Sequence, residues 1–151
     1  MNCNHLLVMI TSLHRYLDIL QLHEIYTLVE TLDDFKSLID EGFAQANTTI
    51  GQIEDAFSSG DIERTQKLSH YLKGAMVTLG FRELTRLLQI IHYTITTPDQ
   101  VNFTAVLAHT VGQLRDVYDQ TVQEFYNADN TTIKPMTLQL IVDKHHEVCH
   151  G

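Results

Sequence analysis

Apolar residues return at three- and four-residue steps along most of this chain, and no stretch before residue 127 alternates them at the two-residue step of a strand. The most regular run is Phe35, Leu38, Ile39, Gly42, Phe43, Ala46, Ile50, Ile53 and Phe57, which predicts one long helix over 35–57 with Asp33 and Asp34 as start residues. Before it, Leu17, Leu20, Ile25, Leu28 and Val29 predict a short amphipathic helix over 16–30, broken by Thr31-Leu32-Asp33. After it, Ser58-Ser59-Gly60-Asp61 is a stop, and Ser59 or Asp61 opens a helix whose inner stripe is Leu68, Leu72, Ala75, Met76 and Leu79. Gly80 ends or bends that helix, and Leu84, Leu87, Leu88 and Ile91 continue an apolar stripe beyond it. Residues 94–102, rich in threonine and broken by Pro98-Asp99, read as a loop. A last long helix carries Phe103, Val106, Leu107, Val111, Leu114, Val117, Tyr118, Val122 and Phe125.

The expected fold class is therefore all-α, an up-down four-helix bundle with an additional short N-terminal helix and a C-terminal extension. Its organisation reads as an extension over 1–15, the bundle over 16–127, and a tail over 128–151 that holds one short apolar segment, 136–142, of no assigned type. The chain has no internal repeats and no low-complexity tract.

Composition narrows the function. A length of 151 residues with 44% hydrophobic residues and two prolines suits one helical domain with a real core. The formal net charge of −9, from 10 Lys and Arg against 19 Asp and Glu, would repel a nucleic-acid backbone, and no basic run offsets it. Protein partners are expected, with no nucleic acid and no membrane. Cys3 and Cys149 are too few for a disulfide framework and fit a reducing compartment. The apolar run 6–10 is far too short to span a bilayer and has no signal-peptide surroundings, so the expectation is a cytoplasmic protein, with the nucleus also open to it. A monomer is expected.

The candidate chemistry lies in Ser69-His70-Tyr71-Leu72-Lys73-Gly74-Ala75-Met76-Val77-Thr78-Leu79-Gly80. On a helix His70 points roughly 160° from the centre of the inner stripe, out into water. Lys73 at i+3 and Gly74 at i+4 share its face, one a cation and the other a side chain reduced to hydrogen. Such a setting suits a phosphorylated histidine, because the lysine can partly neutralise the phosphoryl group and the glycine leaves room for a bulky partner. Histidine is a fit nucleophile, since an imidazole with its ordinary pKa of about 6.5 keeps a neutral ring nitrogen near neutral pH. Val77 lies near the same face, and Ile25 and Leu28 either join it as an exposed apolar rim for docking or belong to the core. Lys67, three residues before His70, is placed with that docking set. No Gly-rich phosphate loop occurs, so the chain is not expected to bind ATP or to phosphorylate itself.

His-x-Leu-Lys-Gly followed by Gly80 resembles the signature of histidine-containing phosphotransfer domains, most closely the free-standing eukaryotic phosphorelay intermediates. The resemblance spans about residues 16–127, including the Asp33-Asp34-Phe35 helix start. Where some relatives carry a glutamine or cysteine in the helix after the motif, the corresponding residues here read as leucine, isoleucine and His92. The resemblance implies that His70 takes a phosphoryl group from the receiver domain of a hybrid sensor histidine kinase and passes it to the receiver aspartate of a response regulator. It also implies that the chain binds no cofactor, the Mg²⁺ belonging to the partner receiver.

Two rival readings stand beside this one. The chain could be a non-catalytic four-helix adaptor that binds a partner through an exposed apolar face. It could instead be a small metal protein using His145-His146-Glu147-Val148-Cys149-His150, although donors bunched without a spaced second pair read as an adventitious site, so no metal site is assigned.

Overall fold

Helix ends in this chain are set by side-chain caps at three starts and by glycine turns at two finishes, which replace the backbone partners a helix terminus lacks. In a computed structural model, which describes residues 15–97 and 101–130 with side chains through residue 127, five helices follow one another. They are α1 (Ile19–Leu28), α2 (Leu32–Ser58), α3 (Ile62–Leu79), α4 (Arg82–Thr96) and α5 (Phe103–Asn130). The extension 1–14, the apolar segment 136–142, the terminal histidines and both cysteines lie outside the described residues. Among the described residues there is no strand, and no helix is long and apolar enough to cross a membrane.

Three N-termini are capped by side-chain oxygens: Asp18 accepts from the Gln21 N–H at 3.1 Å, Thr31 from Asp34 at 3.1 Å, and Asp61 from Arg64 at 3.0 Å. Each such cap stabilises its helix by about 1 kcal/mol. The second helix thus starts from Thr31, and Asp33 and Asp34 occupy its first turn, where carboxylates meet the positive end of the helix dipole.

Two C-termini share another device. The Asp61 N–H donates to the Ala56 carbonyl and Gly60 to Phe57, and likewise Phe81 donates to Met76 and Gly80 to Val77. Both glycines have positive φ, 78° and 76°, the left-handed turn that closes a helix with paired carbonyls. Gly80 therefore ends α3, and α4 is a separate helix that starts at Arg82. That helix also outlasts its expected end. Thr94 extends the stripe of Leu87, Leu88 and Ile91 by one more three-residue step and is buried, so the loop expected from residue 94 begins only after Thr96.

The core draws Phe35, Ile39, Phe43, Ala46, Ile50 and Ile53 from α2 against Leu72 and Met76 of α3, Leu84, Leu88 and Ile91 of α4, and Leu107, Leu114 and Phe125 of α5. Buried threonines fit because their hydroxyls bond back to their own helix: Thr65 to the Asp61 carbonyl, Thr110 to Val106, Thr121 to Val117. One end is aromatic, with Phe43 stacked on Phe81 at 4.6 Å and met edge-on by Phe125 and Tyr118. The helices α2 and α3 approach closely at Gly42, whose missing side chain is replaced by Leu79.

Packing runs from α2 to α3, α3 to α4, α4 to α5, and back from α5 to α2, with α1 laid over α2 and α3. The α2 and α5 pair runs in opposite senses, since Asp40 meets Tyr126 and Glu54 meets Arg115. The result is an all-helical bundle.

Candidate functional site

The helix α3 is anchored by an inward stripe of Thr65, Ser69, Leu72, Met76 and Leu79, all buried, with Leu68 and Ala75 half-buried beside it. His70 is exposed, as the sequence predicts for a position on the far side of that stripe. Both ends of the helix are fixed. Asp61 caps the start, and at the finish the Asp18 N–H donates to the Gly80 carbonyl at 2.7 Å while the Gln21 amide donates to the Thr78 carbonyl at 2.8 Å. A rigid helix that holds a nucleophile in water is well suited to a reaction whose rate depends on orientation.

Gly74, one turn beyond His70, is exposed, and a Cβ built there meets no atom within 4 Å. The space inferred from sequence is therefore open. The Gly74 carbonyl accepts the Thr78 hydroxyl at 3.0 Å, which gives this turn a bond that holds Thr78 along the helix. Lys73 is half-buried and extends towards α4, donating to Gln89 Oε1 at 2.8 Å. An ammonium carries three donors, so two remain for an incoming anion. Beside His70 on α4 lies His92, its ring centroid 5.4 Å away and tilted by 36°. His92 is half-buried, and its Nδ1 is shielded with no hydrogen-bond partner among the described residues.

Gln89 is a polar residue of α4 that the expectation of leucine, isoleucine and His92 in that part of the helix leaves out. The signal was available: Gln89 stands three residues before His92 on a helix whose other side is the stripe Leu84, Leu88 and Ile91. Tyr71, 63% exposed, takes a hydrogen bond from Gln45 of α2 at 3.0 Å, a contact between helices that spacing along one helix does not predict.

The expected docking set divides. Val77 is 53% exposed and Leu28 is 85% exposed. Ile25, by contrast, is 8% exposed and packs in the core with Leu22, so it is not part of an exposed rim. The physical reason is helix phase: Ile25 follows Leu22 at i+3 on the face of α1 turned to the bundle, and Leu28 is the last residue of the helix. Lys67 is exposed and pairs with Glu63 at 3.0 Å, a surface ion pair worth about 0.5 kcal/mol at most.

Chemically the face offers a nucleophilic ring, a cation tethered by a neighbouring helix, and clearance. Among the described residues no three His, Cys, Asp or Glu side chains stand together as a metal cluster.

No family model matches the sequence. Over 70 residues the chain is 29% identical to multistep phosphorelay regulator 1 of Schizosaccharomyces pombe, a match that takes in 42% of this chain and 24% of that protein. The chain thus aligns with about a quarter of its curated relative's length. This is a distant, partial likeness to a phosphorelay protein.

Proposed function

We propose that this chain is a phosphorelay intermediate with His70 as its phosphoacceptor. The observation that carries the reading is the shared face of α3: an exposed His70, Lys73 one turn on, and open space at Gly74. The partial likeness to a phosphorelay regulator supports it from a different direction. So does the bundle, since the order of packing and the opposed senses of α2 and α5 favour the up-down four-helix arrangement.

In the proposed reaction a ring nitrogen of His70 attacks the phosphorus of a receiver's aspartyl phosphate in line. The new N–P bond forms as the P–O bond to the aspartate breaks, and the carboxylate leaves with the bonding electrons. The receiver supplies its own Mg²⁺ and most of the charge stabilisation. Lys73 adds a cation beside the transferred group, and Gly74 admits the partner's loop. A second receiver, that of a response regulator, then takes the group by the same displacement in reverse. Exposed Leu28 and Val77 supply apolar docking contacts to the partners, and exposed Lys67 a charged one.

The test is incubation with a receiver domain carrying an aspartyl phosphate, followed by mapping of acid-labile phosphate. The label is expected on His70 and absent from the His70→Gln variant, whose helical circular dichroism and melting temperature should match the parent's because the side chain faces water. Undiminished labelling of that variant, or labelling of His92 or His109, overturns the assignment. Tight receiver binding without any transfer would favour the adaptor reading.

A further inference from the structure

We infer that His70 and His92 together form a two-imidazole site for a divalent transition-metal ion, bridging α3 and α4. Zinc binds histidine nitrogen at about 2.0–2.1 Å, and a ring centroid lies about 1.1 Å behind its nitrogen, so a tetrahedral ion sets two ring centroids about 5.2 Å apart. The observed separation is 5.4 Å. Rotation about each metal–nitrogen bond leaves the angle between the ring planes free, so the 36° tilt is compatible with shared coordination.

A second observation points the same way. His92 Nδ1 is shielded and has no hydrogen-bond partner among the described residues. Shielded polar nitrogens without a partner are uncommon in folded chains, and a turn of the half-buried His92 ring that brings this nitrogen towards His70 would let a shared ion supply one. The chemistry selects the class of ion: paired imidazoles suit copper, nickel and zinc, and offer little to magnesium or calcium. No third His, Cys, Asp or Glu joins them among the described residues, so water completes the coordination and the ion exchanges readily.

Lys73 opposes the ion. Its ammonium is fixed to Gln89, one turn before His92 on the same helix, and adds positive charge near the pair. Metal affinity and phosphate affinity therefore respond to Lys73 with opposite signs. Under the phosphoacceptor reading, on which this consequence rests, metal and phosphoryl group compete for His70, because coordination draws off the electron density that attack on phosphorus requires.

The experiment uses the full chain with His145, His146 and His150 changed to Gln and Cys149 changed to Ser, which removes the imidazole and thiol donors of the 145–150 run. Zn²⁺ is titrated without any phosphodonor, and the imidazole Cε1–H resonances are followed by NMR. One ion per chain should shift His70 and His92 together. His70→Gln and His92→Gln should each weaken binding at least about tenfold, and Lys73→Met should tighten it. Because His70 is exposed, its variant folds and remains informative if His92→Gln does not. Shifts confined to other histidines, or unchanged affinity in His70→Gln, overturn the site. Zinc binding at this pair in a chain that never accepts phosphate would leave the site standing and remove the phosphorelay reading.

Discussion

Lys73 and Gln89 join α3 to α4 beside His70, the lysine ammonium donating to the glutamine amide oxygen at 2.8 Å. A surface lysine normally samples many rotamers, and ordering it costs up to about 2 kcal/mol. Here the neighbouring helix has already restricted it, so recruitment to a phosphoryl group needs little further ordering.

Lys73→Ala should slow transfer or shorten phosphohistidine lifetime about fivefold, the scale of an exposed charge contact near 1 kcal/mol. Gln89→Ala should have a smaller effect in the same direction. The double variant should be no worse than Lys73→Ala alone, since both changes act through one ammonium. Rates that multiply would show that the glutamine acts independently, and raised ionic strength should reproduce part of the lysine effect.

Gly74→Gln should block transfer while raising stability by up to about 1 kcal/mol, because glutamine is the better helix former and a Cβ at this position meets no described atom within 4 Å. The pair of measurements is a transfer assay and a melting curve on the same sample. Normal transfer would mean that the partner does not approach across this position.

Two neighbours on α1 should separate docking from packing. Leu28→Ala should leave the melting temperature unchanged and weaken receiver binding. Ile25→Ala should cost about 2–5 kcal/mol of stability through lost burial and a cavity. Denaturant unfolding and a receiver-binding titration on both variants distinguish them, and a destabilised Leu28→Ala would place Leu28 in the fold's packing.

Gly60 and Gly80 adopt the same left-handed conformation but differ in surroundings. At Gly60 a Cβ meets nothing within 4 Å, whereas at Gly80 it would stand 3.1 Å from the Gln21 side chain and 3.2 Å from the Asp18 carbonyl oxygen. Gly60→Ala should cost about 1 kcal/mol for backbone strain alone, and Gly80→Ala about twice that or more, by chemical denaturation. Equal losses would show that α1 yields without resistance.

The helices were legible in the sequence because their inner faces are unbroken: the run from Phe35 to Ile53 has one phase and one reading. Ends were less so. Thr31 outranked Asp33 as a cap because the cap is decided by one hydrogen bond to the backbone N–H three residues on, which composition does not reveal. Thr94 read as loop because threonine is a poor helix former in isolation, yet burial against the bundle outweighs that small preference. Within the site, His70, Lys73 and Gly74 were visible because they lie one helical turn apart on a single element. Gln89 was not, because its relation to Lys73 depends on how two helices pack, and Ile25 could not be told from Leu28 by spacing on so short a helix.

His70, Lys73, Gly74, Gln89 and His92 come from one pair of adjacent helices, and that has a consequence for the order in which the chain acquires them. Lys73 and Gln89 are 16 residues apart, whereas Asp40 and Tyr126, which join α2 to α5, are 86 apart. Closing the longer span costs about 1.5 kcal/mol more chain entropy, from the logarithmic growth of loop cost with length. The hairpin of α3 and α4 can thus form early, from contacts of low sequence separation, before α5 returns to α2. Substitutions that slow the return of α5 should delay the finished core more than the pairing of His70 with its neighbours on α4.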